Sequence, residues 1–226
     1  MSLPTQALRY LLRTPGQWRH VPRWVASARA DYLLSHRCPW LTFDSIDFLD
    51  HTVGAGWKVL EYGSGGSTLY WGVRGCTCVS VEHDSAWFAT LDRKVASSTM
   101  LDRRLVPPGP PGSAPVTADP ADPEHYVSFG SEFLGRSFES YARQADAFPD
   151  GYFDLVLVDG RARPSCIKHA VPKVRLGGWM VLDNSDRDYY FTKTGSWLSG
   201  FVATHFPGLG PINPDPWRTT VMQRVR

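Results

Sequence analysis

Three groups of residues in this 226-residue chain have types and spacings that could do chemistry. The first is the turn Gly63-Ser64-Gly65-Gly66, which follows the run Val59-Leu60 and has Glu61 two positions before its first glycine. Glycines let backbone approach a ligand closely and adopt positive φ, and Ser67 behind them can cap a helix whose first N–H groups are free. The second is Glu82, nineteen residues after Gly63 at the end of another apolar run. A carboxylate there can accept two hydrogen bonds from a ribose diol. The third is Asp159 with Asp183 and Asn184, again at the ends of apolar runs. Adjacent strands lie about 4.8 Å apart, so these oxygens could converge. Three oxygen ligands completed by water suit Mg²⁺; without a metal, Asp159 could act as a general base. The bland alternative is a turn, for which Asp-Asn-Ser is a good sequence.

The elements that must position these groups read as alternating strands and helices. Strands are expected at 58–62, 78–82, 101–106, 153–159, 179–182 and 219–224, and helices from Ser67, from Ser85, over 138–148, from Pro164 to about Arg175 and over 197–204. Such alternation implies a parallel α/β sheet, whose ligand lies beyond the carboxyl ends of the strands. Residues 107–125 hold seven prolines and read as a long irregular loop. Residues 1–40 form an N-terminal basic helical extension or lid before a single domain over 41–226. Its first thirty residues carry five arginines and no acid, which suits a docking helix with a solvated face or a membrane-surface anchor.

Composition narrows the function. With 42% hydrophobic and 20% charged residues the chain is an ordinary globular protein. A net charge of +2 is too mild to imply nucleic acid. No run is long enough for a membrane span, and arginines interrupt the N-terminus where a signal peptide needs an apolar core, so a cytoplasmic location is expected. Cys38, Cys76, Cys78 and Cys166 lack zinc-finger spacing and read as free buried thiols.

The turn and Glu82 fit either a dinucleotide or S-adenosylmethionine. The third glycine of a dinucleotide fingerprint would fall at Thr68, and Glu61 suits a ligand carrying an ammonium and a sulfonium better than a pyrophosphate. The run from Val59 to Leu69 resembles motif I of class I S-adenosylmethionine-dependent methyltransferases, and Val81-Glu82-His83-Asp84 resembles their acidic ribose loop. The Gly-Ser-Gly-Gly-Ser-Thr turn is similar to that of a bacterial group of small methyltransferases, over about residues 40–225. The resemblance implies a Rossmann-like seven-stranded, mostly parallel sheet ordered 3-2-1-4-5-7-6 with helices on both faces. It also implies that Glu61, Gly63, Ser64, Gly65, Gly66, Ser67 and Asp159 line the cofactor, that Glu82 takes the ribose and that His83 lies against the adenine.

The Asp159, Asp183, Asn184 pattern is similar to the metal site of catechol and caffeoyl-CoA O-methyltransferases. In that family a lysine three residues after the first aspartate serves as base, whereas this chain has Ala162 there. Arg161 and Arg163 flank it; arginine stays protonated and is no base, but two guanidiniums suit a phosphate or carboxylate on a substrate. Tyr189 is a candidate wall of the acceptor pocket, His169 is too far along its helix for the chemistry, and Trp217 reads as packing. The reading is methyl transfer to a small-molecule hydroxyl, with a sugar or polyol preferred and Mg²⁺ as an optional partner. No nucleic-acid partner is expected, and a homodimer is compatible with the chain. The competing readings are a nicotinamide-dependent oxidoreductase and a degenerate methyltransferase fold that binds RNA or protein.

Overall fold

The computed structural model describes residues 5–29, 31–95 and 100–226. Four short helices lead in: α1 (Thr5–Arg13), α2 (Val21–Ala26), α3 (Tyr32–Ser35) and α4 (Phe43–Thr52). Then follow β1 (Lys58–Tyr62), α5 (Gly66–Val73), β2 (Thr77–Glu82), α6 (Ser85–Asp92), β3 (Leu101–Leu105), α7 (Glu139–Ala142), β4 (Phe153–Val158), α8 (Arg163–Ala170), β5 (Val174–Leu182), β6 (Phe201–Gly208) and β7 (Trp217–Arg224). The seven strands form one sheet ordered β3-β2-β1-β4-β5-β7-β6. Pairing is parallel from β3 to β5, and β7 runs antiparallel to both its neighbours. This is the expected order and mixture.

Both faces of the central strands are buried, as a parallel sheet demands. Alternate residues serve different layers. Leu60, Tyr62, Val156, Val158, Met180 and Leu182 pack with Tyr141, Cys166 and Ile167. Val59, Leu155, Leu157 and Val181 pack on the other face with Leu49, Trp71 and the N-terminal Leu11 and Trp24.

Two expectations fail. The helix expected over 197–204 is a single 3₁₀ turn at Trp197–Gly200 followed by β6. Its β-branched and aromatic residues favour a strand, but most of them are exposed on the sheet's edge, so no buried alternation marks it. The helix expected to run to about Arg175 stops short of it, and Arg175 lies inside β5 with Gly177 and Gly178. Gly178 permits a close approach, because a Cβ there would sit 2.9 Å from the Asp154 and Arg175 carbonyl oxygens. The helix that starts at Arg163 ends at Ala170, and Pro172 lies in the 3₁₀ turn that follows.

The N-terminal segment is packed onto the body. Ala7, Leu11, Trp24 and Leu33 are buried. Arg23 pairs with Asp47 on α4 at 2.5 Å, and His20 lies 2.8 Å from Asp44. The backbone of this segment also crosses the glycine turn. A Cβ on Gly66 would overlap the Cys38 carbonyl oxygen and lie 2.7 Å from that of Leu33. Gly66 is therefore fixed by the protein's own packing. Gly66→Ala should lower stability by about 1–3 kcal/mol, the range for overpacking, measured by urea denaturation; a change near zero would mean that the segment does not seat on the turn.

Candidate functional site

The strand order reverses between β1 and β4, and there the sheet opens a crevice. Backbone bonds extend the ladders one residue past the strands: Asp159 N–H donates to Tyr62 at 3.0 Å and Asp183 N–H to Val158 at 3.3 Å. Gly63, Asp159 and Asp183 thus stand side by side at the carboxyl ends. Above them is a cavity of about 690 Å³ lined by the turn 63–67, by Glu82, His83 and Trp87, and by the ends of β4 and β5. Trp40, Phe129, Arg161, Asn184, Arg187 and Tyr189 complete its wall.

The turn is held from beneath. Glu61 is fully buried and is not among the residues lining the cavity. Its Oε1 accepts from the hydroxyls of Thr68 and Ser80, the latter at 2.6 Å, and its Oε2 accepts from Trp71 Nε1 at 2.9 Å. Burial pushes its carboxyl upward, opposed by these donors. The Thr68 hydroxyl also accepts the Gly65 N–H at 3.0 Å. Glu61 and Thr68 together brace the loop, which explains a carboxylate and a threonine where a dinucleotide fingerprint has neither. Gly63 has φ +95°, and a Cβ there would press on Asp159 and Gly160 backbone at 3.0 Å. Gly65 differs: its φ of 176° is ordinary extended backbone and a Cβ would meet nothing within 4 Å. The protein's own packing does not require Gly65 to be small.

Glu82 is buried at the next strand end. Its Oε1 accepts from the backbone N–H groups of His83 and Asp84 at 2.7 and 2.8 Å, and its Oε2 from Ser64 N–H at 3.0 Å. A carboxylate offers about four acceptor positions, so one on Oε2 is left to face the cavity. His83 sits in a nest of aromatic rings, edge-on to Phe133 with centroids 5.5 Å apart. Its buried Nδ1 lies 2.7 Å from Glu82 Oε1. Trp87 Nε1 donates to the Ser64 carbonyl at 2.7 Å and fixes the outer lip.

At the β4 and β5 ends one guanidinium dominates. Arg163 is buried, and its Nη2 donates to Asp159 Oδ1 at 2.9 Å and to the Asp159 carbonyl at 3.1 Å. Its Nε donates to Gly160 O at 3.0 Å, and its Nη1 donates to the Asp183 carbonyl. Asp183 Oδ1 accepts from Trp217 Nε1 at 2.8 Å and Thr219 Oγ1 at 2.6 Å. Burial and the neighbouring Asp183 charge lift Asp159 well above its ordinary 3.8 despite Arg163; burial lifts Asp183 as well. Both shifts run toward the protonated form, the direction expected when like charges meet out of water. Asp159 still shows 19% of its side chain, toward the cavity.

A Mg²⁺ held by Asp159, Asp183 and Asn184 would have to compete with protein donors and with Arg163. One oxygen of each aspartate is already engaged by donors, and a buried guanidinium supplies the positive charge a divalent ion would bring. Arg163 also lines the cavity, but its guanidinium is largely committed to Asp159, Gly160 and the Asp183 carbonyl. Arg161 is the more available: its guanidinium lies over the Phe133 ring at 4.6 Å, with no carboxylate paired to it among the described residues. Arg187, unmarked in the sequence, lines the cavity and donates to Tyr190 OH at 3.1 Å; its place three residues after Asn184 is the signal that could have found it. Trp40 and Phe129 carry no such signal, because they lie in loops far from any motif. Tyr189 lines the cavity, and burial pushes its hydroxyl to about 12. His169 lies away from the cavity, between Asp146 at 2.7 Å and Tyr126 at 3.1 Å. The proline-rich loop is ordered turns, and Pro120 reaches the cavity wall.

The class this fold defines is the Rossmann-like methyltransferase fold. The chain is similar to TomG, an O-methyltransferase from Streptomyces achromogenes involved in tomaymycin synthesis and solved with S-adenosylmethionine, with 15% identity, TM-score 0.58, and coverage of 93% of this chain and 99% of that one. It is similar too to a proposed O-methyltransferase from Klebsiella pneumoniae, with 14% identity, TM-score 0.59, and coverage of 94% and 97%. No protein-family model matches the sequence, and no curated protein matches it. Among the described residues no helix is long and apolar enough to cross a membrane.

The raised Asp159 carboxyl has a consequence for stability. Because Asp159 is raised above 3.8 in the fold, the folded protein retains a proton that the unfolded chain releases. That contribution is complete below about pH 4 and is lost as pH rises through the folded value, at about 1.4 kcal/mol for every tenfold difference in proton affinity between the two states. Asp159→Asn keeps an acceptor for Arg163 and removes the loss. Its melting temperature relative to wild type should therefore climb with pH; an offset that stays flat across pH would refute the raised Asp159 carboxyl.

Proposed function

We propose that this protein is an S-adenosylmethionine-dependent methyltransferase that methylates a hydroxyl of a small-molecule acceptor. The observation that carries the reading is Gly65: a turn braced by Glu61 and Thr68 leaves open space at Gly65 beside a Glu82 oxygen with one free acceptor position. That is a cradle for a ribose-bearing ligand at a helix start. The solved proteins of like fold add support, since one of them holds this cofactor. S-adenosylmethionine bound there supplies a methyl group on a sulfonium, transferred by in-line displacement.

The chain's residues divide the remaining work. Glu82 holds a ribose hydroxyl on Oε2, and His83 with its aromatic neighbours forms the wall for the base. The backbone of Ser64, Gly65 and Gly66 shapes the floor. Asp159 orients the acceptor hydroxyl and takes its proton as the oxygen–methyl bond forms. Only the ionised form of Asp159 can take the proton; Arg163 stabilises that form, and burial makes it a stronger base than an exposed carboxylate. Trp40, Phe129 and Tyr189 offer aromatic faces that suit the apolar side of a sugar ring, and Arg161 suits an anionic substituent. Metal plays no part in this reading.

Calorimetric titration with S-adenosylhomocysteine tests it. We expect binding that is unchanged after chelation of divalent ions. Gly65→Val should weaken it at least tenfold, about 1.4 kcal/mol, while leaving the melting temperature close to wild type. Absence of heat with wild type, or binding of NAD⁺ in its place, would sink the cofactor assignment; normal affinity in Gly65→Val would place the ligand elsewhere.

A further inference from the structure

We propose that the outer face of the N-terminal segment docks on an anionic bilayer surface. Helix α1 carries more apolar surface than its seating on the body uses. Ala7 and Leu11, one turn apart, are completely buried and make the intramolecular contact. A second stripe, Leu8 and Leu12, is 38% and 69% exposed. Trp18 is 45% exposed, and its Nε1 donates to the Leu11 carbonyl at 3.1 Å, which fixes the indole beside the end of the helix. Leu, Leu and Trp at one exposed corner form an apolar patch that folding alone does not require.

Charge identifies the occupant. Residues 1–30 contain no acid. Arg19 and Arg23 are committed to Asp44 and Asp47. Arg9 and Arg13, a turn apart on α1 and exposed, have no carboxylate partner among the described residues. They stand next to the exposed leucines. A basic stripe beside an apolar one, with tryptophan at the boundary, is the pattern of a segment lying in a membrane interface: leucine and indole enter the acyl boundary while arginines meet lipid phosphate. A nucleic acid would answer the arginines but leave Leu12 and Trp18 in water.

The location gives the contact a use. Tyr10 OH donates to the Pro207 carbonyl at 2.9 Å, and Trp24 Nε1 to that of Asn213 at 2.7 Å. Both acceptors belong to the β6–β7 end, and Asn213 lines the cavity. The docking face and the cavity therefore occupy the same end of the sheet, and an acceptor held at a bilayer surface would meet the cavity. The docking itself does not depend on the proposed reaction.

Co-sedimentation with vesicles of phosphatidylcholine containing phosphatidylglycerol, against pure phosphatidylcholine, tests the inference, with melting temperature as the control for folding. We expect binding to the anionic vesicles that Leu12→Glu and the Arg9→Glu/Arg13→Glu pair each weaken at least tenfold. Three outcomes overturn it: no binding to anionic vesicles at low salt, equal binding to both vesicle types, or loss in the arginine variant with Leu12→Glu unchanged. The last would mark a purely electrostatic attraction to polyanions.

Discussion

Two carboxylates end neighbouring buried strands, and Arg163 ties the two strand ends together while Trp217 and Thr219 hold the second carboxyl. Uncompensated, Asp159 and Asp183 would repel across a low-dielectric floor. The guanidinium answers with bonds to a carboxylate oxygen and to three backbone carbonyls, at Asp159, Gly160 and Asp183. It ties β4 to β5 where their ladder ends. Ala162 shows the backbone's share in this, since it adopts φ +46°. Left-handed backbone costs an alanine about 1–2 kcal/mol, and the turn it makes brings Arg163 back beneath the strand ends as α8 begins. Burial raises both carboxyls, and this one cation opposes that rise while holding the two strand ends together.

A second buried hub governs the other half of the crevice. Glu61 draws Thr68, Ser80 and Trp71 together, and Thr68 passes the restraint to Gly65. A charge so deep is stable only because each oxygen has a donor. These bonds brace the loop from beneath, and a braced loop needs little ordering to accompany binding. The two hubs meet at Gly63, where β1 and β4 approach so closely that a side chain would press on Asp159 and Gly160.

Much of this is legible in the sequence because it is written in strong local signals. A parallel sheet buries both strand faces, so Phe153–Val158 reads as a strand without ambiguity, and ligand-facing residues follow directly after such runs. Glu82, Asp159 and Asp183 are found that way. What is not legible depends on directions that spacing does not carry. Glu61 looks like a ligand contact in the sequence and instead lies beneath the turn, and Arg163 reaches the cavity wall with its guanidinium committed to the strand ends, since nothing in a linear pattern says which partners a long polar side chain takes. β6 reads as a helix because an exposed edge strand lacks alternation. Trp40 and Phe129 come to the cavity through loops, whose paths are set by tertiary packing. Gly66 looks like a ligand glycine, yet the carbonyls that exclude a side chain there belong to Leu33 and Cys38, far upstream.

That last contact changes what the N-terminal segment is. It presses backbone onto the glycine turn at Leu33 and Cys38, gives Leu33 and Trp40 to the cavity wall, and reaches the β6–β7 end through Tyr10 and Trp24. An appended lid could be removed without disturbing the floor of the site; this segment is part of the floor. A force applied at its outer face, through Leu12 or Arg13, acts on a packed chain of contacts running from Leu11 to the glycine turn. Rigid packing of this kind transmits displacement rather than absorbing it. The surface that would meet a partner and the loop that would hold a cofactor are thus two faces of one structural unit.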